Sequence, residues 1–63
     1  MSRWQTEVWG LSIVATEIAV QEGILDRGQR GILLGYDADY WKVVKENTTT
    51  SVRYAKVFWE LVK

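Results

Sequence analysis

The chain contains no cysteine, no histidine and no proline. Without cysteine, neither a disulfide framework nor a thiolate metal site can form. Without histidine, the commonest general base and the commonest metal ligand are missing, which leaves carboxylates as the acid–base groups to consider. We therefore expect no cofactor and no metal, and a protein that is not an enzyme.

The chain also has no excess of charge and no long apolar run. Eight basic and eight acidic side chains give a net charge of zero, so no overall field draws the protein to phosphates or to an anionic membrane. No apolar stretch approaches the roughly 18–20 residues needed to span a bilayer. The stretch after Arg3 is interrupted by Glu7 and Ser12, which is unlike a signal peptide. We expect a soluble, cytoplasmic protein with no membrane partner and no small-molecule substrate.

Large aromatic side chains are abundant in this short chain. Its 63 residues include four tryptophans, three tyrosines and one phenylalanine. Each aromatic residue removes about 150–250 Å² from water when it is buried, which a domain near the lower size limit needs in order to fold alone. We predict a single domain over 1–63, with 1–7 as an N-terminal arm. Self-association is a second way to gain burial, so a homo-oligomer stays open.

The second half of the chain has the spacing of a β-meander. Apolar segments of strand length at 32–36, 40–45 and 51–55 are separated by polar clusters at 37–39 and 46–50, and a glycine-bearing turn at 26–31 precedes them. The alternation blurs at 57–59, as expected for a 3₁₀ turn before a short final strand over 60–62. This pattern predicts a small barrel.

Residues 4–20 admit two interpretations. From position 4 to position 25, apolar residues recur at spacings of four and three, which is typical of a helix. Alternatively, Leu11, Ile13 and Ala15 share one face of a strand, and the many β-branched residues favour this extended form. We favour the strand, hence an all-β fold. A helix here would give an α+β fold, an N-terminal helix packed on a three-stranded meander.

Three segments resemble SH3-type barrels. Residues 24–34 are similar to the diverging turn and second strand of that class, and the acidic–aromatic run 39–43 resembles the opening of its third strand. Residues 51–63 are similar to its fourth strand, 3₁₀ turn and closing strand. The resemblance covers roughly 11–63 and consists of residue classes. It implies a five-stranded SH3-like small barrel.

Aromatic residues are the first candidates for a functional surface. In SH3 domains that bind proline-rich peptides, an aromatic residue at the start of the third strand lines the ligand groove, and Tyr40 matches that position. The first strand lacks the paired tyrosines of those domains, however, and Lys56 or Val57 replaces the proline of their 3₁₀ region. More tryptophans are present than such a barrel readily buries, and exposed tryptophan is enriched at interfaces. The candidate protein-interface residues are Trp4, Trp9, Tyr36, Tyr40, Trp41, Tyr54 and Trp59. The alternative is that they form the core and rim of the barrel.

Basic residues provide the alternative surface. Small barrels such as the C-terminal domain of retroviral integrases bind nucleic acid with a face of cations and aromatics, through phosphate contacts and stacking. The candidates here are Arg27, Arg30, Lys42, Arg53 and Lys56. Acidic residues are interleaved with them along the sequence, which is also typical of a charge-balanced solvated surface.

An enzymatic resemblance is confined to one segment. Type II dihydrofolate reductases are SH3-like barrels of similar size, with a Val-Gln-Ile-Tyr run in their pore, and residues 51–54 resemble that run in position. Only Val52 matches in register, so no catalytic residue is carried over. The sequence therefore predicts a non-enzymatic protein-interaction module, or a small subunit of an assembly, that binds through aromatic residues. A nucleic-acid-binding barrel is the alternative.

Overall fold

The fold is a five-stranded antiparallel sheet with one short helix, and the structure, a computed structural model, describes residues 10–62. The elements are β1 (Leu11–Ala15), α1 (Glu17–Gln21), β2 (Arg30–Tyr36), β3 (Tyr40–Lys45), β4 (Ser51–Ala55), a 3₁₀ turn (Lys56–Phe58) and β5 (Trp59–Leu61). The strand order is β4-β3-β2-β1-β5. The predicted all-β class is confirmed. The proposed arm, Trp4 and Trp9 lie outside the described residues.

The meander lies where the sequence pattern placed it. β3 has the predicted bounds, β4 follows the polar turn 46–50, and β5 begins one residue earlier than expected. Two turns depend on the left-handed backbone region. Gly28 has φ +79° before β2 and Asn47 has φ +69° between β3 and β4, and glycine and asparagine are the residues that tolerate this conformation.

The first predicted strand is shorter than expected. The extended prediction is right for β1 but wrong for 17–20, which belong to α1. Thr16 explains the change, because its hydroxyl caps the helix by accepting a hydrogen bond from the backbone N–H of Ala19 at 3.4 Å. Such a cap satisfies a donor that the first turn leaves unpaired. The helix lies between β1 and β2 and does not replace a strand, so the fold remains all-β.

One face of the sheet carries the core. The strand register brings Leu33 opposite Val43 and Ile13 opposite Gly31. Burying an aliphatic side chain of this size contributes about 1.5–3 kcal/mol. The buried hydrophobic residues are Ile13, Ala19, Leu25, Leu33, Val43 and Trp59.

A β-bulge in β2 determines which aromatic residues share a face. Leu33 pairs with Val43, but Gly35 pairs with Lys42 and Tyr36 with Trp41. The irregularity between Leu33 and Gly35 therefore moves the register by one residue. Because side chains alternate between faces, this shift brings Tyr36 to the same face as Trp41.

Candidate functional site

Three aromatic residues form a row across the core-facing side of the sheet. Tyr36 on β2 lies opposite Trp41 on β3, and Trp41 lies opposite Tyr54 on β4. All three are half-buried. Trp41 and Tyr54 also pack against the core. The sheet therefore holds their rings in place and leaves part of each ring accessible.

A groove of about 400 Å³ opens beside this row. Its floor is the buried Leu33, and the half-buried Tyr36 and Trp41 contribute aromatic walls. Leu61 of β5, 48% exposed, adds an apolar wall on the other side. The residues that line this aromatic groove are Leu33, Tyr36, Asp37, Ala38, Trp41, Lys56 and Leu61.

The aromatic groove carries one acidic and one basic side chain. The Asp37 carboxylate accepts a hydrogen bond from the backbone N–H of Ala38. The backbone N–H of Lys56 donates to the carbonyl of Asp39 at 3.1 Å, which ties the 3₁₀ turn to the β2–β3 turn. Among residues 10–62, the Lys56 ammonium makes no ion pair. An apolar floor with a few polar groups at its margin is the usual composition of a ligand-binding pocket.

Two predicted interface residues lie elsewhere in the described structure. Trp59 is only 2% exposed, so its prediction as an exposed interface residue is wrong. It packs edge-to-face on Tyr54, with ring centroids 5.5 Å apart, and it covers Gly31, where a side chain would collide with it. Tyr40 precedes Trp41 in β3 and therefore lies on the opposite face of the sheet.

The candidate cations are divided among several places. Arg27 donates a hydrogen bond to Glu17 at 2.5 Å. This bond and the attraction between the charges lower the pKa of Glu17 and raise the pKa of Arg27. Lys42 and Arg53 lie directly opposite each other on β3 and β4. Arg30 begins β2. The structure thus brings together only Lys42 and Arg53 of the five.

The sequence patterns did not indicate the groove as a unit. Leu33, Ala38 and Leu61 were not among the candidate residues, because strand periodicity does not reveal which strand ends meet. One local signal was present. Gly35 interrupts an aliphatic strand, and an isolated glycine within a strand often marks a bulge. That bulge is what places Tyr36 beside Trp41.

The described residues contain few features of other functional classes. Within 10–62, no three acidic side chains come close enough to hold a metal ion, and no helix there has the length and apolarity to cross a membrane. Family models, curated proteins and solved structures were compared with the chain, and none matches it.

Proposed function

We propose that this protein is a non-enzymatic interaction module that binds an extended segment of a partner protein in the aromatic groove. The observation that carries the proposal is the groove itself, about 400 Å³ in volume and walled by Tyr36, Trp41 and Leu61. A leucine-sized or aromatic side chain buried there would contribute about 1.5–3 kcal/mol. One or two such anchors are typical of short peptide ligands with modest affinity.

The arrangement of the five strands suggests a specific type of barrel. We infer an SH3-like barrel formed by the single domain 1–63. The strand order β4-β3-β2-β1-β5 supports it, as does the 3₁₀ turn between β4 and β5. Tyr40, which resembles the ligand-lining aromatic of proline-binding SH3 domains, lies on the face opposite the groove. For this reason we propose an apolar extended ligand and not a proline-rich one.

A peptide-display selection against the purified chain tests this function. Selected peptides should bind with an apolar anchor, and a lysine introduced at Ala38 should weaken them at least about tenfold, because it places a long charged side chain at the groove wall. Thr49→Lys is the matched control, since it adds the same charge to an exposed turn between β3 and β4. Fluorescence anisotropy of a labelled selected peptide measures the affinity of each of the two variants. Equal binding to the two variants would rule out the groove, and so would failure to select any peptide.

The partner segment can belong to another protein or to a second copy of this chain. Light scattering coupled to size exclusion separates these cases. A monomer leaves the groove free for another protein. An oligomer that Ala38→Lys dissociates and Thr49→Lys does not would make the second copy the occupant, and the protein would then be a subunit of its own assembly.

A further inference from the structure

Two cations face each other on the outer side of the sheet. Lys42 and Arg53 are direct cross-strand partners, and neither makes an ion pair with a carboxylate among residues 10–62. Like charges directly opposite each other in an antiparallel pair are destabilising. An anionic ligand would relieve this repulsion.

An exposed aromatic ring adjoins the same pair. Tyr40 is 41% exposed and lies opposite the small Ala55. The guanidinium carbon of Arg53 is 4.7 Å from the ring centroid. This contact holds a cation beside a flat apolar surface on a rigid pair of strands.

We propose that Lys42, Arg53 and Tyr40 form a binding site for single-stranded nucleic acid, separate from the aromatic groove. The two cations would contact phosphates, and a base would stack on the exposed pair formed by the Tyr40 ring and the Arg53 guanidinium over it. Trp41 lies between Tyr40 and Lys42 in sequence, so its side chain faces the groove on the other side of the sheet. The two surfaces are therefore independent, and this proposal goes beyond the interaction function.

An acidic protein segment is the competing ligand, and the ring favours nucleic acid over it. Two cations attract any anion, but an exposed tyrosine beside an arginine adds stacking affinity for a ligand that itself has a flat π-face, which the side chains of an acidic segment lack. Because the chain carries no net charge, long-range attraction is absent and the contacts themselves must supply the binding. The site is therefore short, with two phosphates and one base.

Anisotropy of a labelled oligothymidylate tests the site. With two phosphate contacts, the logarithm of the binding constant should fall with the logarithm of salt at a slope of about −1.4, or about sevenfold between roughly 50 and 200 mM. Lys42→Gln/Arg53→Gln should abolish this dependence. Arg27→Gln/Arg30→Gln, which removes the same charge elsewhere, should preserve it. Tyr40→Ala should weaken binding at least about fivefold, and Tyr40→Phe should retain it.

Several results would overturn the proposal. One is that the oligonucleotide does not bind at low salt. Another is that Lys42→Gln/Arg53→Gln and Arg27→Gln/Arg30→Gln lose the same amount of affinity. Polyglutamate that binds as tightly as the oligonucleotide, with Tyr40→Ala unaffected, would assign the site to acidic protein segments instead. Thermal unfolding checks that the variants are folded. Removing two opposed like charges relieves their repulsion, and losing the contact of Arg53 with Tyr40 costs about 0.5–1 kcal/mol, so the melting temperature should change little.

Discussion

Gly31 occupies the tightest position in the core, and replacing it with alanine tests how the sheet packs. A Cβ atom at Gly31 would lie 2.9 Å from the carbonyl oxygen of Val44, 3.1 Å from Cγ1 of Val43 and 3.3 Å from Cη2 of Trp59. The first contact is with backbone, which a rotamer change cannot relieve. Gly31→Ala must therefore move the backbone of β2 away from β3, and the Val43 side chain and the Trp59 indole must also give by a few tenths of an ångström.

The expected cost follows from two opposing effects. Overpacking a core by one methyl group destabilises by about 1–3 kcal/mol. Alanine also lowers the conformational entropy of the unfolded chain, which stabilises the folded state by about 0.4–1 kcal/mol. The difference lies between about 0 and 2.6 kcal/mol, and because the closest contact is with backbone we expect a net loss of about 1–2 kcal/mol. For a domain of this size each kcal/mol lowers the melting temperature by about 4–8 °C, so we expect a fall of about 4–16 °C.

Thermal and denaturant unfolding, followed by tryptophan fluorescence, measure this loss. Arg30→Ala is the control, because it changes an exposed neighbour in the same strand and should stay within about 0.5 kcal/mol of the parent protein. A Gly31→Ala variant as stable as this control would refute the close packing of β3 and Trp59 around Gly31.

The remaining predictions concern local contacts. Thr16→Ala should cost about 1–3 kcal/mol in an unfolding experiment, because the hydroxyl caps α1 and donates to the carbonyl of Val57 at 2.7 Å; Thr16→Ser should retain most of the stability, and an equal loss in both variants would argue against the hydroxyl. The hydrogen bond from Arg27 lowers the pKa of Glu17, so Arg27→Gln should raise that pKa in an NMR titration, and an unchanged value would contradict the ion pair. Because the folded pKa is the lower one, the pair's contribution is present above the unfolded pKa of Glu17 and is lost as the pH falls through its folded pKa. For this fully exposed pair the effect on melting temperature should be small.

Strand positions in the second half of the chain followed from local chemistry. Turn residues at 37–39 and 46–50 separate apolar runs of strand length, and β3 occupies 40–45 as predicted. Such signals are local, because a turn conformation depends on the residues within it. The 3₁₀ turn before β5 was predictable for the same reason.

Features that depend on distant contacts were not predictable. The N-cap Thr16 is a local signal for α1 that the strand interpretation of 17–20 passed over, whereas the second bond of its hydroxyl, to Val57, 41 positions further along the chain, depends on the tertiary fold. Trp59 looked like a surplus aromatic residue because its burial depends on packing near Gly31 of β2, a strand with which β5 does not pair. The groove depends on a one-residue register shift at Leu34. It also needs residues of β2, β3 and β5 to lie close together, and this proximity depends on how the complete sheet folds.

The most direct test of the interaction function is an amide NMR titration of the isotopically labelled chain with a peptide from the display selection. The account predicts that the largest shifts occur at Tyr36, Ala38, Trp41 and Leu61, around the aromatic groove. Saturation should require a higher peptide concentration for Ala38→Lys and not for Thr49→Lys. Shifts centred on the opposite face of the sheet, at Tyr40 and Arg53, would contradict the groove as the peptide site.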